Sequence, residues 1–156
     1  MSEPVSEPVS EPVTELMSEA VTEPMSRLDA MLATARASLG QRLTPEQARD
    51  EHARGALLVD TRTETQRARQ GDLPGAIVID RTVLEWRLDP EGPDRIPEAG
   101  TPGVRVIVVC RQGYSSSLAA RSLQQLGLDA TDVIGGAEAW LAAGLPLAAG
   151  PPDVRE

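Results

Sequence analysis

Residues 104–117, Val-Arg-Val-Ile-Val-Val-Cys-Arg-Gln-Gly-Tyr-Ser-Ser-Ser, decide the fold. The run 104–109 is apolar apart from Arg105 and reads as a buried strand. It ends on Cys110, the only cysteine in the chain, and passes through a loop into a helix that Ser115 or Ser116 begins. A loop of this length can turn successive backbone N–H groups toward the sulfur, and those donors together with the positive helix end favour anions. A cysteine held there has a lowered pKa and exists partly as thiolate, the nucleophilic form. Taken alone, Cys110 suits a core position as well as a reactive one, because free cysteines are among the most buried residues. Its neighbours favour reactivity: Arg111 adds a cation, Gly113 permits a positive φ, and the serines offer capping hydroxyls. Open α/β sheets also place their sites at the carboxyl ends of strands, where Cys110 stands.

Working outward, Leu118, Ala119, Leu123 and Leu126 give the following helix, 116–126, an apolar face, and Gly127 stops it. Residues 130–134 read as a short strand, Gly135-Gly136 as a turn, and 137–142 as a helix whose Trp140 packs into the core. Upstream, Leu28, Met31, Leu32, Ala35 and Leu39 lie at helical spacing before Gly40. Thr44-Pro45-Glu46-Gln47 supplies an N-cap and an N-terminal proline for a second helix running to about Arg54. A strand at 56–60, a helical stretch at 64–70, a turn at 71–75, a strand at 76–79 and a helix at 82–88 follow. Trp86 in that helix is expected to be buried. The proline- and glycine-rich residues 89–103 read as a long surface loop, with Arg95 exposed to solvent. Alternating strands and helices imply an α/β fold with a small, mainly parallel sheet flanked by helices on both faces.

The first 24 residues repeat a four-residue unit, Ser-Glu-Pro-Val three times and then three variants of it. Recurrent proline and glutamate oppose a packed core, so residues 1–25 are read as a disordered acidic tail. Of 24 acidic residues, six lie in that tail, leaving 18 against 15 basic residues, all of them arginine. The balanced remainder offers no basic stripe to a phosphate backbone, so nucleic acid is not an expected partner. No apolar stretch approaches the ~20 residues of a membrane span, and no membrane partner is expected. A single cysteine excludes an intramolecular disulfide framework and multi-cysteine metal sites, and suits a reducing, cytoplasmic setting. The absence of lysine alongside abundant Ala, Arg, Gly and Leu suggests a GC-rich bacterial source. His52, the sole histidine, lies among polar residues and is expected at the surface rather than beside the thiol.

These motifs together resemble the rhodanese-like domain, the sulfurtransferase fold. Leu57-Leu58-Val59-Asp60-Thr61-Arg62 is similar to the family's apolar strand followed by Asp-x-Arg. Gly71-Asp72-Leu73-Pro74-Gly75-Ala76 is similar to its Gly-His-Ile-Pro-Gly-Ala turn, with Asp72 in place of the histidine. Cys110 to Ser116 resembles the active-site loop, and Val133-Ile134-Gly135-Gly136-Ala137 with Trp140 resembles the closing segment. On this basis residues 43–148 form the domain, 26–42 an N-terminal helix and linker, and 149–156 a C-terminal tail. The resemblance implies a sulfurtransferase in which Cys110 takes a sulfane sulfur from thiosulfate or a related donor and passes it, as a persulfide, to a thiophilic acceptor such as cyanide or a protein thiol. Arg111, Gln112, Gly113, Tyr114, Ser115 and Ser116 are the implied substrate-binding residues. Asp60 and Arg62 are a structural pair beneath the site, Arg62 being the one able to reach the pocket. No cofactor or metal is implied. A non-catalytic or partner-dependent binding or persulfide-carrier module of the same fold is the alternative. Related Cys-dependent phosphatases close their loop with Cys-x5-Arg, whereas the sixth residue after Cys110 is Ser116.

Overall fold

The computed structural model describes residues 24–156, and residues 1–23, which carry most of the repeat, lie outside the described residues. The chain divides into two units, Met1–Ala30 and Met31–Glu156. In the first, the Asp29 N–H donates to Ser26 Oγ at 3.0 Å and opens a helix, α1 (Arg27–Leu39), that continues into the second.

In the second unit α1 buries Leu32, Ala35 and Leu39, while Met31 is exposed, a narrower stripe than the spacing predicts. Next comes α2 (Pro45–Ala53), started by a capping box in which Thr44 and Gln47 satisfy each other's backbone N–H groups. Then follow β1 (Leu57–Asp60), α3 (Glu64–Gln70), β2 (Ile77–Val78), a 3-10 turn (Arg81–Val83) and α4 (Leu84–Leu88). The second half holds β3 (Arg105–Val109), α5 (Ser115–Gln125), β4 (Asp129–Asp132), α6 (Gly136–Ala142) and β5 (Asp153–Val154). The long loop before β3 carries a 3-10 turn of its own at Pro97–Gly100.

The strands form one five-stranded sheet in the order β4-β3-β1-β2-β5, with every pairing parallel. Strand alternation sorts the side chains between two layers. Val59, Val106 and Val108 face a cluster with Leu84, Leu88 and Leu123 of α4 and α5. Leu58, Ile107 and Val109 face Ala48 of α2 and Trp140 of α6. Trp140 is 2% exposed, and its indole N–H donates to the Pro146 carbonyl at 3.0 Å. β3 lies between β4 and β1, so Cys110 emerges at the carboxyl end of an interior strand, between layers that hold it still.

Three expectations need correction. Residues 149–156, read as a tail, carry the edge strand β5, in register with β2 through Ile77↔Asp153 and Val78↔Val154. Arg155, just after it, fastens it by an ion pair to Glu98. Trp86 is exposed rather than buried, because α4 turns Leu84 and Leu88 inward and leaves the indole on the opposite side. His52 is half-buried: its Nδ1 lies 2.7 Å from the Ala56 carbonyl, and its Nε2 packs against Gly75, where a Cβ would collide with the ring.

Candidate active site

The loop after β3 is shaped by what its carbonyls bond. Helix α6 begins directly over it, and the Ala137 and Glu138 N–H groups donate to the Cys110 and Arg111 carbonyls at 2.8 and 3.1 Å. Gly136 makes this approach possible, since a Cβ there would press on the Cys110 carbonyl and stand 2.8 Å from the nitrogens of Gln112 and Gly113. With the carbonyls drawn toward α6, the amides turn the other way. The Gly113 N–H reaches Cys110 Sγ at 3.1 Å, and no backbone carbonyl among the described residues accepts from the N–H of Arg111, Gln112 or Tyr114. Such unclaimed donors around a thiol suit an anion.

Cys110 itself is buried, at 5% exposure. Burial opposes ionisation of its thiol, but hydrogen bonds from the side chains of Ser116 and Ser115 and from the N–H groups of Ser116 and Gly113 outweigh it and hold the pKa below the ordinary thiol value. The Ser116 hydroxyl has one proton, and the Asp132 carboxylate at 2.7 Å is the stronger acceptor for it. The donor with clear hydrogen-bond geometry to the sulfur is the Gly113 N–H at 3.1 Å. The alkylation rate of Cys110 should accordingly rise with a midpoint below ~8.5, the free-cysteine value. A midpoint above that value would contradict an activated thiol. The same depressed pKa links to stability: the unfolded chain holds this proton to a higher pH than the folded one. The ionised thiol's contribution is therefore fully present above the unfolded value and is lost as pH falls through the folded one.

The sequence-derived residues divide into those facing the mouth and those supporting it. Arg111 and Gln112 are exposed and, with Gln66, Arg69 and Glu138, line a cavity of about 500 Å³ beside the loop. Tyr114 is exposed, with the Arg36 guanidinium 5.7 Å from its ring centroid. Ser116, expected to bind substrate, is buried and directs its hydroxyl to Asp132. Arg62 is also a correction: it is 3% exposed and turned onto Asp60. Its Nε and Nη2 fork onto Asp60 at 3.0 and 2.7 Å, and Nη2 also donates to the Gly71 carbonyl at 2.9 Å. The pair ties the end of β1 to the end of α3 and lies beneath the loop, closed off from solvent. Asp72, at the position of the family's turn histidine, pairs with Arg67 at 3.4 Å. Arg95 is exposed and donates to Gly92 of its own loop.

Three side chains outside the sequence-derived set also converge on the loop. Asp132, at the end of β4 and fully buried, accepts from Ser116 and Ser117 at 2.7 and 2.8 Å and from Arg42 through a fork at 2.7 and 3.1 Å. Arg36 on α1 and Arg42 just after it both reach the Gly113 carbonyl, at 2.8 and 3.1 Å. Only Arg36's place on an amphipathic helix was visible in sequence. Among the described residues no group of three His, Cys, Asp or Glu side chains could hold a metal ion, and no helix is long and apolar enough to cross a membrane.

Comparison with known proteins adds a family. The family model for the rhodanese-like domain matches residues 44–143. A solved structure from Rhodopseudomonas palustris, described as a protein of unknown function and possible tyrosine phosphatase, is 31% identical with a TM-score of 0.71, the match covering 82% of this chain and 99% of that one. The thiosulfate sulfurtransferase of Pseudomonas aeruginosa is similar in fold, at 23% identity and a TM-score of 0.57, over 74% of this chain and 21% of that one. A rhodanese-related protein from Thermoplasma volcanium gives 23% identity and a TM-score of 0.55, over 70% of this chain and 99% of that one. No match emerged among curated proteins.

Proposed function

Because the chain belongs to the rhodanese-like domain family, we propose that it is a sulfurtransferase working through a persulfide on Cys110, with thiosulfate or a related sulfane donor as its source. The observation that carries this reading is the Gly113 N–H held 3.1 Å from a buried Cys110 Sγ, in a loop where the N–H groups of Arg111, Gln112 and Tyr114 have no carbonyl partner among the described residues. The Cys110 thiolate attacks the outer sulfur of thiosulfate. The donor's S–S bond breaks, its electron pair leaves with sulfite, and the enzyme holds Cys110–S–S⁻. A thiophilic acceptor such as cyanide then attacks the terminal sulfur. The enzyme's S–S bond breaks, its pair returns to Cys110 as thiolate, and thiocyanate departs. Neither half-reaction needs a general base once the thiol is ionised. The loop amides would stabilise the negative sulfur in both states. A reducing cytoplasm suits such chemistry, since it keeps a lone thiol from being oxidised between turnovers. A protein thiol is the other acceptor we consider.

The naming of the Rhodopseudomonas protein as a possible tyrosine phosphatase raises a second reading. Phosphoryl transfer by a cysteine loop needs a fork of guanidinium donors at the oxyanion. Here the closing position is Ser116, and Arg36 and Arg42 turn their donors to the Gly113 carbonyl, Ser117 and Asp132. Assays of the full chain separate the readings. Thiocyanate formed from thiosulfate and cyanide supports sulfur transfer. Hydrolysis of an aryl phosphate with no thiocyanate would replace it with phosphatase chemistry, and silence in both would favour a binding module.

A further inference from the structure

We infer that Arg36 and Arg42, which precede the matched residues 44–143, are positioning residues for Cys110: together they fix the Gly113 carbonyl, and with it the direction of the Tyr114 N–H in the loop that holds the sulfur. The inference rests on reading Cys110 as the sulfur carrier.

Gly113 sits at φ +87°, where glycine is favoured, and the peptide that follows it has no side chain on Gly113 to limit its rotation. In a trans peptide the carbonyl and the next N–H point in opposite directions. Two guanidinium donors on the Gly113 carbonyl therefore aim the Tyr114 N–H away from the arginines, and no backbone carbonyl among the described residues accepts it. A flip of this one peptide would replace that donor with a carbonyl oxygen, which repels a thiolate or a persulfide. The carbonyls of Cys110 and Arg111 are held by α6. The Gly113 carbonyl receives no bond from α6, and the two arginines hold it from the other side.

The anchors are themselves anchored. Arg42 is forked onto buried Asp132, and Arg36 also donates from Nε to Ser117 Oγ at 3.1 Å. Ser117 in turn donates to Asp132, so both arginines share one network with the first turn of α5. The ionisable groups on the elements packed against the loop are Arg111 and Tyr114 within it, Arg121 on α5, Glu138 on α6, Asp60 and Arg62 at the end of β1, and Asp129 and Asp132 on β4. All of them remain when only the two anchors are changed.

The test uses full-length protein carrying Arg36→Gln, Arg42→Lys or both, with thermal unfolding as the control for folding. The midpoint of Cys110 alkylation against pH should rise in each single variant and further in the double. Persulfide loading from thiosulfate should slow about 100-fold in the double, the lower end of the loss seen when one oriented donor is removed. The rise should persist at about 1 M salt, whereas a shift due to guanidinium charge alone would be screened. Folded variants with the parent's midpoint, or a shift that salt abolishes, would overturn the inference. If Arg42→Lys does not fold, Arg36→Gln alone decides, because it leaves the Arg42–Asp132 pair intact. If the parent takes no sulfur from thiosulfate, the sulfurtransferase reading fails, while the alkylation midpoints still test the positioning.

Discussion

Cys110→Ser will bring thiocyanate release to background, a loss of several orders of magnitude, while leaving the urea unfolding curve within about 1 kcal/mol of the parent. The activity falls because a hydroxyl stays protonated at neutral pH and cannot carry a transferable sulfur. The fold persists because the exchange removes little volume from a site already bordered by hydroxyls, and the Gly113 N–H keeps an acceptor where Sγ stood. Cys110 is the only cysteine in the chain, so no second thiol can take over. Turnover that persisted in a folded variant would mean the nucleophile lies elsewhere and would undo the assignment of the loop.

Gly136→Ala should be nearly as damaging to transfer and far more damaging to stability. At φ +59° a Cβ is disfavoured, and here it would also meet the Cys110 carbonyl and stand 2.8 Å from two loop nitrogens. These atoms are backbone and cannot rotate away as a side chain would. The loop must move off α6, breaking the bonds that hold the Cys110 and Arg111 carbonyls and scattering the amides around the sulfur. Conformational strain and overpacking together should cost about 2–4 kcal/mol. Gly144→Ala is the matched comparison, with φ of +70° but nothing within 4 Å of its Cβ. It should lose about 1–2 kcal/mol and keep full activity. Equal effects of the two substitutions would remove the claim that α6 shapes the loop through Gly136.

Much of the site was legible because its signals are local. An apolar run ending on a cysteine, a glycine three residues on and a cluster of serines announce a strand, a loop and a helix start, and β3, Cys110 and α5 follow that order. Asp60 and Arg62 were legible as a pair because they are two residues apart in chain and meet through a short fork. Asp132 was not: it lies 16 residues beyond Ser116, and only the parallel pairing of β3 with β4 brings it under the loop. Arg36 and Arg42 act across separations of 77 and 71 residues, and nothing nearby in sequence marks either as more than a surface arginine. Strand β5 escaped notice for a different reason. Two residues after Gly150-Pro151-Pro152 carry no period to read, and their pairing depends on an exposed edge of β2. Trp86 misled because size suggests burial, yet five residues of helix offer only two inward positions, and leucines fill both.

The most direct measurement is the intact mass of the reduced protein after incubation with thiosulfate and desalting, repeated after addition of cyanide. Addition of one sulfur atom, located on Cys110 and removed by cyanide with release of thiocyanate, is the expected result. An unchanged mass in a folded sample whose Cys110 still reacts with an alkylating agent would contradict sulfur transfer from thiosulfate through this cysteine.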